Sequence, residues 1–343
     1  MNQSRRDFLK AGLATGVGLG AMGADLVVDL DASSARRPIA TRPFGRTGRV
    51  LPILGIGSSP LVARWAPGYG ARPRSVEERA ALVRHAYDCG VRYFDTARSY
   101  YEAEEVMGHG LKGVAQDCVI ASKVTVLKPE NVRRSVETSL ATLGVDRIEV
   151  MQIHSSGAIE RLGFEGAMKV HAELVKLRGE GVCRYIGLTT HVAFETAYKM
   201  IATGGFDQAL LAYCYFPKGM DTLLSERNLQ FREMCLEKAH KLGTAVVAMK
   251  VMGASIFGRM SRFVVPDYNP VARRKLPGAA MRWVMNDERV SLMVIGMGYA
   301  EEVEQNAAIL ASDLTLTDED RALLADYSAR AHQSERIKKM RVV

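Results

Sequence analysis

The sequence predicts an α/β protein, a closed (β/α)8 barrel of parallel strands (a TIM barrel) with a short N-terminal β-hairpin. Eight short apolar segments alternate with segments of helical periodicity between residues 54 and 310. Such alternation is typical of a parallel sheet covered by helices. No sequence repeat or low-complexity linker marks a second domain. For one domain of this size a closed barrel is favoured over the alternative, an open doubly wound sheet.

The strand elements follow in order from residue 42. The stretch RPFGRTGRVLPIL predicts a hairpin that turns at residues 46–48. The later strand segments are short, apolar and rich in Val or Ile, as expected for strands buried on both faces. They are predicted at residues 54–58, 92–95, 118–123, 148–154, 185–189, 207–212, 245–250 and 292–296.

Helices are predicted between these strands. Apolar residues recur at every fourth position in 132–140, and two capping boxes open the first and the last helix. In each box a hydroxyl residue stands three positions before an acidic residue, Ser75 before Glu78 and Thr317 before Asp320.

Three long segments are predicted to be loops, at residues 59–74, 216–225 and 253–277. In a barrel all three follow strands, so they rim the face that carries active sites. The barrel domain is predicted to span residues 42–330, and residues 331–343 are predicted to form a basic, unstructured tail.

Residues 1–35 predict a twin-arginine signal peptide. Arg5 and Arg6 precede a weakly apolar run rich in Gly and Ala. This run contains a G-x-G-x-x-G pattern, but no strand-like segment precedes it and no acidic residue stands about twenty positions later, as a dinucleotide fold needs. We therefore expect export by the twin-arginine translocase to the periplasm. Cleavage after Ala35 is expected to leave no stable membrane span, and retention as an N-terminal anchor is the alternative.

Composition narrows the function classes. The chain has 343 residues, a net charge of +8 and five cysteines. Its positive charges are scattered and are not interleaved with aromatic residues, which argues against nucleic-acid binding. The cysteines show no C-x-x-C spacing, so most are expected to be buried thiols and no metal site is expected. A small-molecule substrate is the expected partner.

Four candidate catalytic residues lie at or just after predicted strand ends. Asp95, Lys123 and His154 end successive strands, and Tyr100 lies one short loop beyond Asp95. Reduction of a carbonyl by hydride creates an alkoxide that needs a proton donor. A nearby ammonium is expected to lower the pKa of a tyrosine, so that it can serve as this donor. Asp95 would hold Lys123 charged, and His154 would hydrogen-bond the substrate oxygen or share the proton with Tyr100.

Each of these residues also has a structural interpretation. Asp95 and Lys123 could form an ion pair without a catalytic role, and His154 could be a hydrogen-bonded core residue. Tyr101 could take the place of its neighbour Tyr100. The occurrence of all four at successive strand ends of a closed fold favours catalysis.

These segments resemble the aldo-keto reductase family over about residues 42–310. FDTARSYYEAEEVMG resembles the family's D-T-A-x-x-Y-G-x-S-E-x-x-L-G stretch, and VIGMGYAEEVEQN resembles its last strand and following helix. The segments ASK and QIH match the family's Lys and His. The resemblance implies a catalytic tetrad of Asp95, Tyr100, Lys123 and His154. It also implies a (β/α)8 barrel that holds NAD(P)H in extended form without a glycine-rich turn.

The resemblance implies cofactor contacts at two strand ends. Thr189 and Thr190 stand where many members have the Ser-Asn pair that holds the nicotinamide amide. Met249 stands where an aromatic residue often stacks on the nicotinamide, and Lys250 is expected near the pyrophosphate.

The adenosine end of the cofactor site departs from NADPH-preferring members. Gly296, Met297 and Glu302 stand where those members have Lys, Ser and Arg, while Asn306 is retained. The loss of two cations and the gain of a carboxylate predict repulsion of a 2′-phosphate, so NADH is favoured over NADPH. Arginines in the 253–277 loop are an alternative source of phosphate binding.

The expected function is an NAD(P)H-dependent oxidoreductase that interconverts carbonyls and alcohols, with Tyr100 as general acid. Trp65, Tyr69 and Tyr101 are predicted to form an apolar wall for the substrate, and Trp65 has the alternative interpretation of a local packing anchor. The alternative function is a non-catalytic cofactor-binding barrel that acts as a redox sensor or partner-binding subunit.

Overall fold

The computed structural model describes residues 37–65, 67, 72–155 and 159–343. The predicted signal peptide and Tyr69 lie outside the described residues. The strands are β1 Thr41–Pro43, β2 Val50–Pro52, β3 Leu54–Gly57, β4 Tyr93–Asp95, β5 Val119–Val124, β6 Ile148–Ile153, β7 Cys183–Thr190, β8 Gln208–Ala212, β9 Ala245–Met249 and β10 Val290–Gly296.

The strands β3 to β10 form a closed parallel barrel, which confirms the predicted fold class. Each strand pairs with the next in the chain, and β10 pairs with β3 to close the ring. All eight predicted barrel strands are present, with ends within two residues of the prediction. The antiparallel pair β1 and β2 is the predicted hairpin, and its turn ends at Gly48, whose left-handed φ of 75° favours glycine.

Helices cover the outside of the barrel. They are α1 Val76–Asp88, α2 Ala103–Gly110, α3 Val132–Leu143, α4 Glu160–Gly179, α5 Phe194–Ala202, α6 Glu226–Leu242, α7 Ser261–Val264, α8 Pro270–Met285, α9 Ala300–Leu310, α10 Asp318–Gln333 and α11 Glu335–Lys338. Within the described parts of the chain, no helix is long and apolar enough to cross a membrane.

Both predicted capping boxes are confirmed. The Ser75 hydroxyl accepts from the Glu78 amide at the start of α1, and the Glu78 carboxylate accepts from the Ser75 amide. Thr317 and Asp320 make the same reciprocal pair at the start of α10. Each box satisfies main-chain donors that the first helical turn leaves without a partner.

The predicted loop at 253–277 is wrong in its second half. Asn269 caps α8 by accepting from two main-chain amides, and the helix continues through Pro277. Leu276 and Ala279 on either side of this proline are fully buried against α10 and its surroundings. Tertiary packing therefore outweighs the helix-breaking tendency of proline here.

The prediction of an unstructured C-terminal tail is also wrong. Residues 335–338 form α11, with Ile337 buried. The last residues then run beside the segment that follows β8. The Leu223 amide donates to Arg341 at 2.9 Å, and the Val343 amide donates to Leu223 at 3.0 Å. These main-chain hydrogen bonds fix the conformation of a segment for which the basic composition alone indicated no regular structure.

Candidate active site

The carboxyl ends of β4 and β5 bring Asp95 and Lys123 together. The Lys123 ammonium donates to Asp95 Oδ2 at 2.5 Å and to the Thr96 carbonyl at 2.6 Å. The two side chains are 2% and 7% exposed, so the pair is buried. Burial lowers the pKa of Lys123, while the charge of Asp95 acts in the opposite direction.

A chain of buried amides supports Asp95 from inside the barrel. Gln152 donates to Asp95 Oδ1 at 2.9 Å, and Gln208 donates to Gln152 at 3.3 Å. The Tyr93 hydroxyl donates to Gln208 at 3.1 Å and ends the chain. Sequence reasoning missed both glutamines as functional residues. The signal that could have found them is a glutamine in each of two strands that are otherwise mostly apolar.

The ring of Tyr100 lies close to Lys123 and His154. The Lys123 ammonium is 5.3 Å from the ring centre of Tyr100. The His154 ring meets the Tyr100 ring edge-on, with 5.7 Å between centres. His154 Nδ1 also lies 3.5 Å from the Ser99 hydroxyl. The structure therefore brings the four predicted catalytic side chains into one cluster.

The predicted lowering of the Tyr100 pKa is wrong. Burial raises the pKa of this phenol above its usual value, the Asp95 charge adds to the increase, and a hydrogen bond with Ser59 opposes it. The physical reason is that Asp95 compensates the Lys123 ammonium at 2.5 Å, so desolvation dominates. A tyrosine is protonated at neutral pH even at its usual pKa, as a proton donor must be, and the raised pKa makes Tyr100 a weaker acid than the sequence predicted. Ser59 is a further partner that sequence reasoning missed.

Two of the predicted wall residues lie beside Tyr100. The Trp65 ring meets the rings of Tyr100 and Tyr101 edge-on, at 5.3 and 5.5 Å between centres. The Arg64 guanidinium lies 4.6 Å over the Tyr101 ring and donates to its hydroxyl at 2.8 Å. Tyr101 is 47% exposed and has a φ of 48°, a left-handed conformation at a position where the family usually has glycine. Trp65 and Tyr101 therefore form an aromatic edge beside Tyr100.

A buried arginine ties this aromatic edge to the barrel. Arg79 on α1 donates to the Glu102 carboxylate at 2.6 Å and also hydrogen-bonds the Leu61 carbonyl. The same carboxylate accepts from the Ala63 amide at 2.8 Å. Arg79 and Glu102 thus connect the segment before Trp65 to the turn that carries Tyr100 and Tyr101. The sequence offered no signal for this connection.

The residues predicted around the nicotinamide lie at the ends of β7 and β9. Thr189 and Thr190 are buried, and the Thr190 hydroxyl accepts from the main-chain amides two and three residues on. Met249 ends β9, and its carbonyl accepts from the Tyr213 amide at 2.9 Å. Lys250 follows in a left-handed conformation with a φ of 62°.

Glu302 does not carry the uncompensated charge that the sequence suggested. Its Oε1 lies 2.7 Å from Arg259 Nη2, and its Oε2 accepts from the Gly298 amide at 2.7 Å. Arg259 also lies 4.8 Å over the Tyr299 ring. The 253–277 segment, named above as an alternative source of cations, therefore places an arginine on this carboxylate. Expected repulsion of a 2′-phosphate is reduced accordingly.

The other three residues predicted at the adenosine end differ in accessibility. Gly296 is exposed at the end of β10, and a Cβ there would lie 2.9 Å from the ring of Pro60. Met297 is fully buried, so its side chain faces the core. Asn306 is half-buried on α9.

Polar groups without protein partners surround the barrel mouth. Among the described residues, the buried side-chain atoms Ser58 Oγ, Thr96 Oγ1, Ser155 Oγ and His191 Nδ1 have no hydrogen-bond partner. The Lys250 ammonium likewise makes no hydrogen bond or ion pair with another described residue. Buried polar groups normally find partners, so these donors and acceptors fit a polar, anionic ligand such as a nicotinamide dinucleotide.

Comparison with known proteins agrees with this geometry. A sequence model of the aldo/keto reductase family matches residues 54–328. The chain belongs to the aldo/keto reductase family. It is accordingly an oxidoreductase that interconverts carbonyls and alcohols with a nicotinamide cofactor.

Three similar proteins are covered over nearly their whole length. L-galactose dehydrogenase of Arabidopsis thaliana is 24% identical over 323 residues, which cover 85% of this chain and 94% of the relative. The NADH-specific methylglyoxal reductase of Escherichia coli strain K12 is 23% identical, and the match covers 83% of this chain and 97% of the relative. An aldo-keto reductase from Klebsiella pneumoniae in complex with NADPH shares the fold, with a TM-score of 0.63 and 22% identity. The match covers 84% of this chain and 94% of that one. The non-catalytic alternative is not favoured, because the curated relatives are named as enzymes.

Proposed function

We propose that Tyr100 donates the proton in the reduction of a small aldehyde or ketone, assisted by Lys123, Asp95 and His154. The observation that carries this proposal is the buried Lys123–Asp95 pair, 5.3 Å from the ring centre of Tyr100. When bound, the reduced nicotinamide supplies a hydride to the carbonyl carbon. The carbonyl π electrons move to the oxygen, which takes the proton of Tyr100. Alcohol oxidation is the reverse of these steps.

The surrounding charges suit a proton that moves in both directions. Transfer of the proton leaves a phenolate on Tyr100. The Lys123 ammonium attracts that phenolate, although its pairing with Asp95 weakens the effect. Asp95 holds the ammonium in place through a 2.5 Å bond, and Gln152 orients the other oxygen of the carboxylate. The ring of His154 is close enough to Tyr100 to bind the same substrate oxygen.

The test of this proposal is Tyr100→Phe, with Tyr101→Phe as matched control. Turnover would be measured on a panel of aldehydes, ketones and aldoses with both cofactors. Loss of a general acid is expected to lower kcat by about 10²–10⁴-fold. The control removes an exposed hydroxyl and should keep most activity. If Tyr100→Phe retained activity and Tyr101→Phe lost it, the assignment of the donor would be wrong.

The relatives suggest where a substrate search should begin. They include an L-galactose dehydrogenase, a methylglyoxal reductase and a D-threo-aldose 1-dehydrogenase. We propose short, oxygenated aldehydes as the substrate class. The aromatic edge of Trp65 and Tyr101 beside Tyr100 supports this, because flat rings pack well against the carbon skeleton of such compounds.

We also propose a preference for NADH over NADPH. A 2′-phosphate would have to compete with Glu302 for Arg259, whereas a ribose 2′-hydroxyl can donate to the carboxylate. Glu302→Gln should therefore improve NADPH affinity by about tenfold, or about 1.4 kcal/mol, relative to NADH. Glu301→Gln, an exposed neighbour, is the control. A wild-type protein that binds NADPH ten times more tightly than NADH would contradict the proposal.

We propose that residues 1–35 direct export to the periplasm by the twin-arginine route. The support is the Arg5-Arg6 pair before the Gly and Ala run, together with five free cysteines, which suit a protein folded before export. The full chain would be fractionated from a bacterial host with and without a working twin-arginine translocase. Replacement of both arginines by lysine should keep the protein in the cytoplasm. An equal distribution of the wild-type chain and the lysine variant between cytoplasm and periplasm would refute the assignment.

A further inference from the structure

Three basic side chains follow neighbouring strands of the barrel: His191 after β7, Lys218 after β8 and Lys250 after β9. A main-chain hydrogen bond of 2.9 Å joins the ends of β8 and β9. A Cβ on Gly219 would lie only 2.7 Å from the His191 carbonyl, so the turn that carries Lys218 packs directly on the segment of His191. We call His191, Lys218 and Lys250 the basic cluster.

The position of Lys218 is held rigidly. Its main chain bridges to Leu223, which in turn bridges to Val342 near the C-terminus. The side chain is 4% exposed, and its ammonium donates to the Met220 carbonyl. A buried lysine held by one neutral carbonyl keeps further hydrogen-bonding capacity, because an ammonium has three donors.

The basic cluster lacks a bonded counter-charge among the described residues. Lys250 makes no ion pair there, and Asp221, the carboxylate whose charge acts on it, is exposed. His191 is 6% exposed and its Nδ1 has no partner. Burial and then the Lys250 charge lower the pKa of Lys218 to about 8. Burial and the charges of Lys250, His154 and other neighbours hold the pKa of His191 well below its usual value.

We propose that the basic cluster binds an anionic group of the substrate, a carboxylate or a phosphate, beside the reactive carbonyl. An oxyanion there would accept hydrogen bonds from the ammonium groups and provide the missing negative charge. This inference rests on the proposed function and narrows its substrates to acidic aldehydes and ketones.

The placement of the basic cluster favours the substrate over the cofactor as the source of the anion. The residues predicted at the adenosine end follow β10, whereas β7 and β8 lie on the other side of β9. β7 adjoins β6, the strand directly before His154, and the charge of His154 acts on His191. Lys250 is expected near the pyrophosphate, and His191 directly follows the threonines expected near the nicotinamide. Lys218 after β8 is therefore the member of the basic cluster that the expected cofactor contacts leave unused, and it is the residue on which the anion site depends.

The test compares Lys218→Met with Lys112→Met, which removes the same charge from an exposed site. Succinic semialdehyde and butanal are matched four-carbon substrates that differ by one carboxylate. We expect wild-type protein to favour succinic semialdehyde. Lys218→Met should lower kcat/KM for succinic semialdehyde by about tenfold or more, mainly through KM, because a charge-assisted bond of about 1.5–3 kcal/mol is lost. The value for butanal should change less than twofold, and Lys218→Arg should restore much of the preference.

Two binding measurements separate this inference from its competitors. NADH affinity, measured by fluorescence, should be the same in wild type and Lys218→Met. A loss of NADH affinity with no change in substrate preference would assign the basic cluster to the cofactor pyrophosphate and overturn the inference. Calorimetric titration of the NADH complex with succinate should show binding to wild type and weaker binding to Lys218→Met. Absence of succinate binding to wild type would also overturn it.

The inference and the proposed function can fail separately. Succinate binding that depends on Lys218, without turnover of any aldehyde, would support the anion site and refute the proposed function. Turnover of butanal without any preference for succinic semialdehyde would support the proposed function and refute the anion site. If Lys218→Met does not fold, as shown by circular dichroism, Lys218→Gln is the second variant, because it removes the charge and keeps a donor for the Met220 carbonyl. The same loss of preference for succinic semialdehyde is expected.

Discussion

Replacing Lys123 with Met would leave the Asp95 carboxylate buried with one hydrogen bond from the described part of the chain, that from Gln152. The lost ammonium lies 2.5 Å from this carboxylate, and the two side chains are 2% and 7% exposed. Removal of one partner from a buried ion pair costs about 3–5 kcal/mol, because the other charge is left uncompensated. We therefore expect the free energy of unfolding of Lys123→Met to fall by about this amount.

Urea unfolding followed by tryptophan fluorescence and circular dichroism measures this loss. The double variant Lys123→Met/Asp95→Asn should recover at least half of it, because no bare charge remains. The control is Lys199→Met, whose partner Glu195 lies 3.1 Å away in an exposed pair that contributes little to stability. A loss below about 1 kcal/mol for Lys123→Met, or no recovery in the double variant, would refute the reasoning.

Burial lowers the pKa of Lys218 from 10.5 to about 8, so between these values the unfolded chain binds more protons than the folded one and stability rises with pH. Lys218→Met should therefore be more stable than wild type below pH 8 and lose this advantage as the pH approaches 10.5, which urea unfolding across pH checks. Gly108→Ala should lower the melting temperature, because its Cβ would lie 2.5 Å from a main-chain oxygen of α3, whereas Gly179→Ala has open space and should not. Gln152→Leu leaves an oxygen of Asp95 without a hydrogen-bond donor. The free energy of unfolding in urea should therefore fall by about 1–3 kcal/mol, and kcat should also fall. Unchanged values in both assays would contradict the supporting role of Gln152.

The strands and helix starts could be predicted because their causes are local. A parallel strand buried on both faces needs a continuous apolar run, and each such run in the sequence became a barrel strand. The capping box at Ser75 depends on residues three positions apart, which are adjacent in any helix start. The tetrad positions followed from strand ends, because a barrel gathers those ends on one face.

The errors share one physical origin, which is packing between distant segments. Pro277 indicated a loop, but its helix is held by contacts with α10. Residues 331–343 indicated a free tail, but their main chain pairs beside Leu223. Glu302 indicated a bare carboxylate, but Arg259 reaches it across more than forty positions of sequence.

The amino-acid sequence alone was enough to determine that this protein is a barrel, the order of its strands and helices, and the types of residue at the carboxyl ends of the strands that carry the catalytic site. Only the tertiary structure decided the electrostatic state of those residues. The pKa of Tyr100 is raised because burial outweighs an ammonium already paired with Asp95, and Lys218 stands beside Lys250 because β8 and β9 are neighbours. Periodicity and spacing reveal which side chains face inward. Charge balance depends on distances between segments far apart in the chain, and these exist only once the barrel has closed.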